Sequence, residues 1–345
     1  MLKIKIIISM LLTVFIASAF IYHQPPHKLT YLQLVMPKGW PKPPTNIFAS
    51  NPLTEEGFQL GRKLFYDTGL SKDSNFSCAG CHQQFAAFAT YDHDFSHGFN
   101  NSFTNRNAPG LFNLAWQKEL HWDGGINHIE VQPLSPLTAV NEMAASIPEI
   151  LRKLKADTAY IRLFKNAFAD GIINSQRLLK ALAQFTGSIQ SYNSKYDKVK
   201  RGEAVLTISE AAGYQTFLRS CNSCHKEPLF TDNSFRNNGL SLNVKLMDKG
   251  RMGITGNPGD SLKFKVPSLR NVSLTFPYMH DGRFVSMGKV IDHYRNGIDT
   301  TQPLLDKLLK KRILISNQEK VDLIAFLLTL KDDVMTHDAR FKQPD

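Results

Sequence analysis

Apolar side chains recur three and four positions apart at Leu178, Leu179, Leu182, Phe185 and Ile189. This spacing predicts an amphipathic helix over residues 175–192. Phe58, Leu60, Leu64 and Phe65 predict another over 53–66. A third is expected over 209–218, with Ser209 as its N-cap and Tyr214, Phe217 and Leu218 on one side. A fourth, over 318–330, follows Ser316-Asn317 and is expected to bury Val321, Ile324, Ala325 and Leu328. Shorter helices are expected over 147–154 and 286–295, and long strand patterns are absent. The stretches 83–120 and 226–285 are rich in Asn, Gly and Phe and have little periodicity. Loops of that length count against a compact domain unless they wrap a bound apolar body.

The first 22 residues differ in kind. Lys3 and Lys5 precede an apolar run over 6–16, and Ala17-Ser18-Ala19 supplies a small-residue cleavage site. Residues 1–22 therefore read as a signal peptide. The apolar stretch over 4–22 nearly reaches spanning length, so an uncleaved anchor is the alternative. Either leader places the body outside the cytoplasm, in the periplasm or its equivalent. A proline-rich extended lead-in follows over 23–47.

Length and charge narrow the classes further. A chain of 345 residues suggests about two domains. The formal net charge of +11 favours acidic partners, such as an anionic redox protein or a membrane surface. The lysines are scattered, with no basic block interleaved with aromatics, so no nucleic-acid partner is expected.

All four cysteines fall in two Cys-x-x-Cys pairs, Cys78/Cys81 and Cys221/Cys224, each followed directly by histidine, His82 and His225. In an oxidising compartment such pairs could form disulfides, and Cys with His could hold zinc. Neither use requires histidine immediately behind the second cysteine. Histidine is 11 of 345 residues, so chance would place it behind both pairs about once in a thousand. Covalent haem attachment does require this spacing. Two thiols add across the two vinyl groups, and the adjacent imidazole lies under the iron. The chain is thus expected to carry two covalently bound haem c, and the haems provide the apolar bodies that the long loops need. The expected fold is mainly α, with two cytochrome c-like haem domains over 48–198 and 199–345 and long irregular loops between helices. The boundary falls near 195–202.

Around these sites the chain resembles the bacterial di-haem cytochrome c peroxidase family, which includes the MauG-type enzymes. The resemblance covers roughly residues 48–332. It rests on Asn51-Pro52-Leu53-Thr54, Leu60-Gly61-Arg62-Lys63-Leu64-Phe65-Tyr66-Asp67, Arg106-Asn107-Ala108-Pro109 and Trp122-Asp123-Gly124. It continues with Asn141-Glu142-Met143, Pro267-Ser268-Leu269-Arg270-Asn271-Val272 and Pro277-Tyr278-Met279-His280-Asp281-Gly282. It implies an N-terminal peroxidatic haem and a C-terminal electron-transfer haem. Glu142 takes the position of the distal acid-base carboxylate and Gln132 that of its hydrogen-bonding neighbour. Read without the resemblance, Glu142 would be an ordinary first-turn glutamate before the 147–154 helix, favoured by the helix dipole. Trp122 takes the place of a tryptophan between the haems, which can relay an electron or simply pack. Asn107, Thr275 and Pro277 match ligands of a Ca2+ between the domains, with water completing the shell; alternatively, Asn107 caps a turn before Pro109. His97 aligns with a mobile histidine that blocks the resting peroxide site, or is a solvated loop residue.

The sequence departs from the peroxidase pattern in two places. Fourteen residues after His280 stands Tyr294, as in MauG-type enzymes, where peroxidases commonly have methionine. Phenolate is the more electron-donating ligand and would lower the reduction potential. Met279 and Met287 are the alternative sixth ligands. Gly125 stands where the family often has arginine, which leaves a charge near a haem carboxylate unassigned, with Arg251 and Arg283 as substitutes.

The function expected is reduction of hydrogen peroxide to water at the N-terminal haem, with electrons passed through the C-terminal haem. The donor would be a small redox protein such as a cytochrome c, or another protein. The alternatives are a MauG-like oxidase of a protein partner and a pure electron carrier; a homodimeric assembly stays open.

Overall fold

The computed structural model describes residues 28–344. The leader or anchor expected over 1–22 lies outside them. Among the described residues no helix is long and apolar enough to cross a membrane.

The chain is mainly helical, with one two-stranded antiparallel sheet in which Phe235 pairs with Lys265 and Arg236 with Phe264. Two large apolar cores organise it, beside a smaller cluster of Leu114, Leu120, Ile129 and Ala183. The first gathers Phe58, Phe65, Phe88, Leu178, Leu182 and Phe185, and the tail returns to it through Met335 and Phe341. The second gathers Tyr196, Phe217, Phe230, Leu323, Phe326 and Leu330. Each fully buried aromatic contributes roughly 1.5–3 kcal/mol.

Both cores rest on one kind of helix crossing. In the first, the Glu55–Tyr66 helix lies on the Ser175–Ser188 helix, and a Cβ at Gly61 would stand 2.0 Å from the Ala181 carbonyl oxygen. In the second, the Ile208–Ser220 helix lies on Asn317–Leu328, and a Cβ at Gly213 would stand 1.8 Å from the Asp322 carbonyl oxygen. Only glycine lets the backbones approach so closely. At both cores the first helix of the pair precedes a Cys-x-x-Cys-His segment in the chain.

The helix ends are set by caps. Thr54 accepts from the Gly57 amide and starts the first helix. The third begins behind Thr207 rather than Ser209, because Thr207 and Glu210 form a reciprocal capping box. The 175–192 pattern stops at Ser188, where the Asn113 side chain pairs with both the amide and the carbonyl of Ser191 (3.0 Å each) and draws the chain away. The C-terminal helix is turned from its expected face. Val321 and Leu328 are exposed, while Asp322, Leu323, Phe326 and Leu327 are buried. Asp322 faces inward because it accepts from Ser209 and its backbone meets Gly213. The 286–295 helix is regular only over Met287–Asp292 and then widens into a π turn, His293–Gly297, that carries Tyr294. Such widenings are frequent at functional sites.

Candidate active site

A single cavity of about 1290 Å³ runs between the lobes and reaches both Cys-x-x-Cys-His segments. It exceeds the ~300–1,000 Å³ that holds one drug-sized ligand.

The two segments are built alike. Cys78–Cys81 is one helical turn, closed by the His82 amide on the Cys78 carbonyl at 2.9 Å. In the second, the His225 amide reaches the Cys221 carbonyl at 3.0 Å. The His82 Nδ1 donates to the Phe88 carbonyl at 2.7 Å, and the His225 Nδ1 shares the carbonyls of Phe230 (3.2 Å) and Pro267 (3.1 Å). A carbonyl can only accept, so Nδ1 carries the proton and Nε2 keeps its lone pair. Phe88 and Phe230 are fully buried with φ of +58° and +55°, the left-handed region, which costs roughly 1–3 kcal/mol for each bulky residue. Both lobes hold this conformation at the carbonyl that orients the imidazole.

The donor set fits a covalently attached haem. All four thiols are free. Burial pushes those of Cys78 and Cys221 up to about 12, so they stand as neutral thiols. Burial pushes the His82 imidazole down to about 4 and lowers His225, which keeps both neutral, as a ligand must be. Among the described residues no group of three or more His, Cys, Asp or Glu is arranged to hold a metal ion.

On the cavity wall near His82 stand Glu142 and Gln132. Burial raises the Glu142 carboxyl above its ordinary value of 4.5. Glu142 is not in the first turn of a helix. The next helix, Ile147–Ala156, starts behind Ser146, and Glu149 supplies its first-turn carboxylate. Glu142 is held instead by backbone, its carbonyl accepting from the Phe99 amide at 2.7 Å. Sequence reading missed His121, whose Nε2 lies 3.5 Å from the Gln132 Nε2 on the same wall. Its only sequence signal is its place directly before Trp122.

Trp122 also lines the cavity. Its Nε1 donates to the Asn107 carbonyl at 2.9 Å, and its own carbonyl accepts from the Lys265 amide at 2.7 Å. It thereby ties the first lobe to the small sheet of the second. Arg106 adds a second tie, bidentate to Asp248 at 2.7 and 2.9 Å and paired with Asp123.

Arg251 and Arg283, the candidates for the unassigned charge, do not line the cavity. Arg251 is held by Glu119 (2.9 Å) and the Asp123 carbonyl (3.1 Å), and Arg283 by Asp281 (2.6 Å). Lys265 lines it instead, its Nζ donating to Gln117 (2.6 Å) and the Glu119 carbonyl (2.7 Å), with burial pushing it down to about 8.

Tyr294, Met279 and Met287 all reach the cavity. Burial pushes the Tyr294 phenol up to about 12 against the opposing effect of the Asn238 amide. That amide also donates to the Met279 sulfur at 3.7 Å. Asn107, Thr275 and Pro277 all line the cavity, and the Asn107 amide bridges the carbonyls of His93 (3.1 Å) and Asp94 (3.2 Å). His97 is not brought to the cavity. It is exposed, with its ring 4.7 Å from Phe103 and 5.4 Å from His93.

Residues 55–205 match the family model of di-haem cytochrome c peroxidase. The chain is 34% identical to the methylamine utilization protein MauG of Methylorubrum extorquens, over 82% of this chain and 80% of that one. It is 33% identical to the cytochrome c551 peroxidase of Nitrosomonas europaea, over 71% and 75%. A solved MauG-like protein associated with microbial copper homeostasis superposes with a TM-score of 0.84 at 34% identity, over 91% of this chain and 99% of that one. The di-haem peroxidase BthA of Burkholderia thailandensis, 20% identical with a TM-score of 0.70 over 93% and 97%, shares the fold. The chain belongs to the di-haem cytochrome c peroxidase family, MauG-type members included. That membership implies two haem c groups.

Proposed function

We propose that this protein is a di-haem peroxidase that reduces hydrogen peroxide to water at the N-terminal site. In this reading Cys78 and Cys81 attach one haem and Cys221 and Cys224 the other, in two cytochrome c-like lobes, with His82 and His225 as proximal ligands. The observation that carries it is one cavity that reaches both attachment segments and is lined by Glu142, Gln132 and Trp122.

When bound, the haems supply the iron site for peroxide and the electron reservoir. The protein residues handle protons and position. Glu142, whose carboxyl is raised by burial, would move a proton from one peroxide oxygen to the other, and with two electrons from the haems and two further protons the peroxide would become two waters. Gln132 offers an amide to orient peroxide, and Trp122 lies on the path between lobes. Tyr294 is proposed as the sixth ligand of the C-terminal haem, supported by its position in the π turn. A Ca2+ held by Asn107, Thr275 and Pro277 rests on the family resemblance, and all three residues line the cavity. Export to the periplasm rests on the pattern of residues 1–22. The partners in this reading are peroxide and a protein electron donor.

The test is direct. The purified protein should give a pyridine haemochrome spectrum of two haem c per chain and consume peroxide with a reduced donor. A Glu142→Gln variant should keep both haems and lose turnover by about 10²–10⁴-fold. Unchanged turnover in that variant would sink the assignment.

A further inference from the structure

The stretch Lys307-Leu308-Leu309-Lys310-Lys311-Arg312 carries four cations and no carboxylate. All four are exposed. The flanking acids are engaged elsewhere. Asp306 accepts from Arg236 at 2.8 Å and from the Leu308 amide at 2.9 Å. Glu319 accepts from Arg219 at 2.6 Å and from the Ser316 amide at 2.7 Å. The cations therefore keep their field toward solvent. Leu308 (47% exposed) stands between them and Leu314 (75%) two residues beyond Arg312.

The same segment rims the cavity: Leu308, Arg312 and Leu314 line it along with Cys221 and Tyr294. Arg312 Nε donates to the carbonyl of Arg295, the residue after Tyr294, at 3.1 Å, so the rim is fastened to the turn that carries Tyr294. Ile313 and Ile315 anchor its far end in the second core.

We propose that the 307–314 rim is the docking surface for an acidic redox protein that exchanges electrons with the C-terminal haem; this rests on the di-haem reading above. The exposed leucines give close contact and the neighbouring cations steer a negatively charged partner to them, since such charges govern association rate and salt dependence. Each encounter oxidises one donor by one electron. Two encounters and two protons convert one hydrogen peroxide to two waters.

The experiment uses the holoprotein with both haems, a reduced c-type cytochrome of low isoelectric point as donor, and peroxide as oxidant. A K307E/K310E variant changes cations that do not line the cavity. Its KM for the acidic cytochrome should rise at least about tenfold at low ionic strength, with a flattened salt dependence. Its turnover with the neutral small donor guaiacol should match the wild type. A K155E/K165E variant, with the same change of net charge on the first lobe, should keep the wild-type KM. An unchanged KM in K307E/K310E overturns the proposal. So does an unchanged KM accompanied by lost binding to phosphatidylglycerol vesicles, which would make the rim a membrane contact. If the wild type fails to turn over even guaiacol, the peroxidase reading itself falls.

Discussion

The guanidinium of Arg270 grips both carboxylate oxygens of Asp197, at 2.8 and 2.7 Å, and neither side chain is more than 6% exposed. Asp197 belongs to the short Lys195–Lys200 helix, whose Tyr196 packs in the second core, and Arg270 to the Pro-Ser-Leu-Arg-Asn stretch after the second site. Arg270 also donates to the Pro228 carbonyl at 2.9 Å, so the pair fixes the loop that carries Phe230.

Removing one partner leaves the other buried and unpaired. Arg270→Met should cost about 3–5 kcal/mol, read as a lower denaturant midpoint. The pH dependence has a defined sign. Burial alone would raise the Asp197 carboxyl, but Arg270 outweighs it and holds the group below 3.8. A depressed carboxyl stabilises the fold fully above its unfolded value and loses that contribution as pH falls through the folded one. The stability gap between wild type and Asp197→Asn should therefore be constant near neutrality and shrink below about pH 4.

Glu142 should also mark the pH profile of turnover. Its raised carboxyl moves the acidic limb of kcat/KM above the ordinary glutamate value of 4.5. In Glu142→Gln that limb should vanish together with most of the rate. A limb that persists in the variant would assign it to another group.

Trp122→Phe removes the donor to the Asn107 carbonyl, a hydrogen bond worth about 1 kcal/mol. Peroxide consumption with guaiacol should survive, whereas electron delivery from a protein donor should slow. Stopped-flow spectra of the two haems separate these rates, and equal slowing of both would point to a packing role alone.

Tyr294→Met exchanges a phenol for a thioether on the cavity wall. The C-terminal haem should shift to a higher reduction potential in a spectroelectrochemical titration. An unchanged potential would hand the sixth position to Met279 or Met287.

Gly213→Ala tests the helix crossing of the second lobe. A methyl there would meet the Asp322 carbonyl oxygen at 1.8 Å, so the helices must separate. The expected cost is about 1–3 kcal/mol, measured as a drop in Tm with haem content retained.

Local chemistry was legible in the sequence. The two Cys-x-x-Cys-His segments, the helices that precede them, and the mainly helical character follow from spacing, periodicity and capping residues, which act within a few positions of themselves. Glu142, Gln132 and Trp122 could be named only through resemblance, because nothing within their own neighbourhoods distinguishes a cavity wall from an ordinary loop. Tertiary structure decided the rest. It turned the Asn317–Leu328 helix so that Asp322 faces in and Val321 out, since the glycine contact and the Ser209 bond outweigh the apolar periodicity. It brought Met335 and Phe341 back to the first core. It put Lys265 and His121 on the cavity wall and left Arg251, Arg283 and His97 off it. These outcomes depend on contacts between residues far apart in the chain, whose energies no single segment contains. The sequence by itself determined the two Cys-x-x-Cys-His segments, and only the packing of distant residues decided which side chains line the cavity that reaches both.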